Sequence, residues 1–224
     1  MPSNRHWVGT WAAAPAPAEG VVGFNNHTLR MNPRISLGGD RLRVRISNAY
    51  GNRPLTIGAA QIALREKGPA IVADSGRKLS FGGSDSAVIA AGAVLLSDPV
   101  ELSVPPLADL AISIHLPGEV PANFAITGRY ARQTNYISPP GNFVADRVMP
   151  VGNLSDQWFF LCGVDVLASS EAGGVVAVVA TAPAAGDAAL AATAAVAGPA
   201  GAPADAAAAS AAFSRCSSAC RRAS

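Results

Sequence analysis

Arg41-Leu42-Arg43-Val44-Arg45-Ile46-Ser47 is the stretch that decides the fold class. Leu42, Val44 and Ile46 fall on one side of an extended chain and Arg43, Arg45 and Ser47 on the other, the period-two pattern of a strand with one face in a core. Leu110, Ile112, Ile114 and Leu116 alternate with Ala111, Ser113 and His115 in the same way and predict a second half-buried strand. Between and around these two, apolar stretches of strand length recur with Gly and Pro between them. The sequence predicts strands at 7–12, within Leu55–Leu64 with a bulge at Gly58, and at 70–72, 78–81, 87–90, 94–96, 100–104, 132–137 and 158–167. Gly38-Gly39-Asp40 and 48–52 read as turns, and Phe24-Asn25-Asn26-His27-Thr28 as a loop. Residues 29–37 read as extended but confined to an edge or bulge, because Pro33 lacks a donor. No helical period is sustained over residues 1–168. The expected fold is all-β, a β-sandwich or jelly-roll-like domain.

That domain ends before the chain does. Residues 1–180 hold all three Trp, all three Tyr and six of the seven Phe. Residues 182–224 hold 21 Ala but only one Leu (Leu190) and one Phe (Phe213), which is too little apolar area for a core. The expected organisation is a β-sandwich over 1–168, a loop and an orphan strand over 169–180, and an Ala/Pro-rich low-complexity tail over 181–224, disordered or partly helical. Gly173-Gly174-Val175-Val176-Ala177-Val178-Val179-Ala180 reads as a strand meant for burial in a parallel sheet. With that sheet missing, it predicts an aggregation-prone edge and poor solubility.

A formal net charge of +2, with Arg dispersed along the chain, argues against nucleic acid as a partner and favours solvated strand faces for the arginines. No stretch is long and apolar enough for a membrane span, and no signal peptide is legible after Met1, so the cytoplasm is the default expectation. A mis-assigned start would hide a secretion signal.

Three cysteines are present. Cys162 reads as a small buried hydrophobe; Cys216 and Cys220 have a spacing that a helix would bring together, but no further Cys or His lies near them to complete a metal site. A Ser-His-Asp arrangement needs an exposed nucleophile, a base and an orienting acid. Of the three histidines, His6 is terminal, His27 lies in the expected loop and His115 on the expected polar strand face. Asp74-Ser75-Gly76 and Ser84-Asp85-Ser86 read as turns. No catalytic, cofactor-binding or metal-binding residue is assigned, and no cofactor is expected.

Several words of the sequence match a known family. They include Trp7-Val8-Gly9-Thr10-Trp11-Ala12-Ala13-Ala14-Pro15, Phe24-Asn25-Asn26-His27-Thr28-Leu29-Arg30, Ser36-Leu37-Gly38-Gly39-Asp40 and Arg43-Val44-Arg45-Ile46-Ser47-Asn48-Ala49-Tyr50-Gly51. Pro54-Leu55-Thr56-Ile57-Gly58, Gln133-Thr134-Asn135-Tyr136 and Trp158-Phe159-Phe160-Leu161-Cys162-Gly163-Val164-Asp165-Val166 continue the series in order. Over roughly residues 5–180 the chain resembles the N-terminal β-domain of bacterial SGNH/GDSL-type esterases and lipases. Met31-Asn32-Pro33 departs from the apolar strand expected there. The resemblance implies that an α/β domain should follow, opening with a strand and Gly-Asp-Ser and ending in Asp-x-x-His, and that the intact relative cleaves carboxylic esters through an acyl-enzyme. Here the strand is present as Val175–Val179 and the Gly-Asp-Ser is not; Gly186-Asp187-Ala188 is displaced and lacks the Ser. The chain is thus expected to be inactive as written.

Ala180-Thr181-Ala182 is encoded by GCN-ACN-GCN, which read one base earlier permits Gly-Asp-Ser. Lys67 and Lys78 are the only Lys among the 17 Lys and Arg, leaving 15 Arg, the bias of a GC-rich gene. One reading of the tail is therefore out-of-frame translation, and the other is a genuine Ala/Pro-rich linker. The alternative for the whole chain is a stand-alone β-sandwich binding a protein partner or carbohydrate, with Trp7, Trp11, Tyr50, Tyr130 and Tyr136 as candidates for stacking on sugar rings. Core packing is the first reading of both Trp.

Overall fold

The computed structural model describes residues 5–16, 23–121 and 131–168, together with the backbone of Val178 and Val179. The Ala/Pro-rich tail, Tyr130, Cys216 and Cys220 lie outside the described residues. Everything described is β-structure, turn or loop, as the alternation requires.

The strands are β1 His6–Ala13, β2 Phe24–Met31, β3 Gly39–Ser47, β4 Leu55–Ile57, β5 Ala59–Leu64, β6 Arg77–Leu79 and β7 Ala87–Ile89. They continue as β8 Val94–Leu96, β9 Val100–Val104, β10 Leu110–Val120, β11 Asn135–Pro140, β12 Asn153–Ser155, β13 Leu161–Ala168 and β14 Val178–Val179. One sheet runs β14-β1-β13-β3-β8, with β9 also pairing with β3; the other runs β12-β11-β2-β10-β5-β6; β4 and β7 form a separate ribbon. Leu42, Val44 and Ile46 of the first sheet and Leu29, Met31, Ile62, Ile112 and Ile114 of the second share one buried cluster, so the two sheets face each other as a sandwich. Burying each such Leu or Ile contributes ~1.5–3 kcal/mol before chain entropy is subtracted. Among the described residues no helix is long and apolar enough to cross a membrane.

Several sequence expectations change. Residues 24–28 are not a loop. They open β2, a central strand paired on one side with β10 and on the other with β11. Four polar residues, Asn25, Asn26, His27 and Thr28, hid it by masking the alternation. Pro33 lies just past the strand, where its carbonyl accepts from Leu110 N, so it removes no ladder donor. Gly39 and Asp40 begin β3 and are not in a turn. Gly38 is glycine because a Cβ there would lie 2.4 Å from the carbonyl oxygen of Val104. Gly58 is a full break: β4 before it pairs with β7, and β5 after it pairs with β10 and β6. Residues 70–72 make only isolated bridges. The strand expected at 132–137 starts at Asn135, and Trp158–Phe160 precede β13.

β10 is buried on both faces, not one. Ser113 is 1% and His115 8% exposed. The segments around 66–72 and 142–149 cover the outer face of the second sheet. They are joined by an Ala70–Val148 bridge, by Ile71 N donating to Arg147 O, and by an Arg147–Glu66 ion pair at 2.9 Å. Beneath them Ala63, Ile71 and Ala111 form a small second cluster. Among the described residues no segment covers Arg45, Leu96 and Val94 of the first sheet in this way, and they stay partly exposed.

Candidate functional site

A cleft of about 560 Å³ opens where β2, β11 and β12 meet the segment leading into β13. Its position follows from two buried asparagines. Asn135, at the start of β11, accepts from Asn32 N at 2.9 Å through Oδ1 and donates from Nδ2 to Gln157 O at 2.8 Å. Asn32 in turn donates from Nδ2 to Thr134 O at 2.8 Å. Both side chains are fully buried, so these bonds form in a low-dielectric setting, where removing a partner is costly. Together they fix the 133–134 wall and the 155–157 wall relative to β2. Asp156 O accepts from Ala131 N and adds a second tie between the walls.

The apolar part of the cleft is made by Phe24, Ile137, Leu154 and Phe159. Phe24 and Phe159 pack edge to face with ring centroids 5.1 Å apart, and Leu154 is 66% exposed. Phe160, next to Phe159, sits at φ 61°, a strained conformation for a bulky residue. It persists because its ring is fully buried and Ser47 N donates to its carbonyl.

The polar lining is His27, Gln133, Thr134, Asn153, Ser155, Asp156 and Gln157, with no Lys or Arg among the described lining residues. His27 Nδ1 accepts from Asn25 N at 2.8 Å, so the neutral imidazole carries its proton on Nε2. Each of these side chains except Asp156 offers both a donor and an acceptor, or a donor balanced by a neighbour. The arrangement is suited to holding neutral polar groups.

The sequence candidates are scattered. His6 is exposed at the start of β1. His115 is buried, not on an exposed surface, with Nε2 2.9 Å from Asn26 Oδ1, and burial lowers its pKa below the usual histidine value. Asn26 holds a left-handed φ of 56° to present that oxygen. Ser75 Oγ donates to Val72 O and accepts from Leu64 N, and Ser84 lies in a turn closed by pairing with Phe81. Both serines sit in turns, as the sequence suggested.

Among the proposed stacking residues, Trp11 packs on Trp158 in the core with centroids 4.7 Å apart, Tyr136 is buried and Tyr50 is 52% exposed elsewhere. None of these lines the cleft. Burial pushes the Cys162 thiol up to about 11, so at neutral pH it is a thiol and not a nucleophilic thiolate. Among the described residues no group of three or more His, Cys, Asp or Glu is placed to hold a metal.

The arginines are not all solvated faces. Asp165, 2% exposed on the outer face of β13, accepts from Arg43 Nε at 2.9 Å and from Arg45 Nη2 at 2.6 Å, and the Arg43 guanidinium lies 4.4 Å from the Trp7 ring centroid. Arg30 is fully buried under the two covering segments. Its Nε donates to Ser113 Oγ at 2.8 Å, and its Nη atoms donate to the carbonyls of Pro69, Val144 and Asp146. Burial pulls its pKa down to about 10, with the Asp146 carboxylate opposing, so it stays charged at neutral pH. Nothing local in the sequence marks Arg30 as different from its neighbours; its partners are supplied by segments far along the chain.

The chain matches no known protein-family model and no curated protein sequence.

Proposed function

We propose that residues 1–168 are the non-catalytic β-sandwich module of an SGNH/GDSL-type carboxylic ester hydrolase, and that the chain as written does not turn over esters. The observation that supports this reading most directly is the pairing of Val178 and Val179 alongside Ala12 and Ala13 of β1. It is the only parallel pair among the described residues, and it puts β14 at the edge of the first sheet, beside β1. Parallel pairing requires a crossover and is the mode by which an α/β sheet grows. On this reading Val178 and Val179 belong to the first strand of such a sheet. The intact relative's Ser nucleophile would follow that strand, and its substrate would be a carboxylic ester.

Two measurements test this. The coding DNA is sequenced from Gly173 past the stop codon and translated in all three frames. The chain as it stands, and any repaired product, are then assayed on p-nitrophenyl acetate and butyrate. The expected result is a shifted frame that opens with Gly-Asp-Ser and continues to Asp-x-x-His, turnover only by the repaired product, and loss of that turnover when the new Ser is replaced by Ala. Turnover by the present chain, or the absence of any continuing frame, refutes the proposal.

A further inference from the structure

The β2–β11–β12 cleft has a polar lining to which the proposed function assigns no role. We propose that it is a binding site for a neutral saccharide. Three features select that ligand class. Gln133, Asn153 and Gln157 carry carboxamides, each a donor and an acceptor, and His27 adds an Nε2–H donor. Sugar hydroxyls also donate and accept, so they can satisfy such an array without leaving a buried polar group unpaired. Ile137 and Leu154 offer an apolar wall suited to the C–H face of a pyranose ring.

Charge excludes other classes. With no Lys or Arg among the described lining residues and the Asp156 carboxylate present, a phosphate or carboxylate ligand would meet no described Lys or Arg in the lining to neutralise it. Asp156 is instead a strong acceptor for a pair of ring hydroxyls. The volume of about 560 Å³ lies within the ~300–1,000 Å³ typical of small-molecule sites. Asn32 and Asn135 hold the walls in place through bonds that do not use the lining side chains, so the site is preorganised.

The site differs from the one the sequence suggested. It combines amides and other polar side chains with Phe24, Phe159 and aliphatic side chains, and none of Trp7, Trp11, Tyr50 and Tyr136 lines it.

The test uses the full chain and four soluble probes: cellohexaose, xylohexaose, mannohexaose and N-acetylchitohexaose. Nitrogen-15 NMR follows the side-chain amides of Gln133, Asn153 and Gln157 through each titration. At least one probe is expected to shift all three saturably at millimolar concentration. Asn153→Ala and Gln157→Ala should each weaken binding roughly three- to tenfold, the loss of about one net hydrogen bond. Asn153 is solvent-exposed and Gln157 bonds its neighbours through its backbone, so both variants should keep the wild-type amide spectrum elsewhere. Tyr50→Ala should leave binding unchanged.

The proposal fails if none of the probes shifts these amides, or if binding is lost in Tyr50→Ala but kept in the cleft variants. Tighter binding of inorganic phosphate or oligogalacturonate than of every neutral probe would also overturn it. The readout involves no ester turnover, so this site and the hydrolase reading stand or fall separately.

Discussion

Replacing Arg30 should be among the most damaging single changes in the sandwich. Its guanidinium is fully buried and donates to one hydroxyl and three carbonyls, two of these bonds at 2.8 Å. Arg30→Met keeps the apolar stem and removes the fork. Each carbonyl or hydroxyl then left dry costs ~1–3 kcal/mol. Part of this is offset because a buried cation no longer has to be held away from water. The net expectation is ~3–5 kcal/mol, the range for breaking a buried charged network, against a typical total stability of ~5–15 kcal/mol. Arg30→Lys keeps the charge but cannot span carbonyls from two different segments, and should lose about half as much.

Urea unfolding followed by tryptophan fluorescence reads both variants, since Trp11 and Trp158 pack together in the core. With a slope of ~1–3 kcal/mol per molar urea, the Arg30→Met midpoint should fall by about 2 M. Limited proteolysis should cut first within 66–72 or 142–149, the segments that Arg30 tethers. A loss below ~1 kcal/mol in Arg30→Met would mean the carbonyls find other donors, and the tether argument would be wrong.

Three further outcomes follow from the packing. Asp165→Asn should destabilise by ~1–3 kcal/mol in the same urea assay, because the neutral amide presents a donor to two guanidinium groups; Arg43 and Arg45 are partly solvated, which keeps the loss below that at Arg30. Gly38→Ala drives a methyl group into the Val104 carbonyl and should cost ~1–3 kcal/mol, visible as a lower thermal midpoint, whereas Gly92→Ala, whose Cβ would meet nothing within 4 Å, should cost only its left-handed strain. For His115, burial depresses the folded-state pKa below the unfolded value, so the unfolded chain takes up the proton first. Stability should be complete above about pH 6.5 and decline as pH falls through that value toward the folded pKa. His115→Gln, which retains an amide near Asn26, should flatten that slope, as measured by urea midpoints across pH.

The regular strands were legible because a period of two is a local property. Leu42, Val44 and Ile46, and Leu110, Ile112, Ile114 and Leu116, are all fully buried, as their alternation demanded. The all-β class followed from those patterns and from the Gly and Pro between them. β2 was not legible. Its first half is polar: His27 lines the cleft and accepts from Asn25 N, and Asn26 bonds His115 of the neighbouring strand, so these contacts override the alternation there.

What only the tertiary structure decided is what lies over each outward face. The alternation separates one face of a strand from the other, but it does not say whether the outer face meets water or another part of the chain. Ser113 and His115 looked exposed and are covered; Arg30 looked solvated and is enclosed by carbonyls from positions 69, 144 and 146. The cleft has the same origin. Asn32 and Asn135 are ordinary polar residues in the sequence, and they set the walls of a site because folding brings them together across a separation of 103 residues. Hydrogen bonds over such distances leave no periodic trace, since neither partner constrains the residues beside the other.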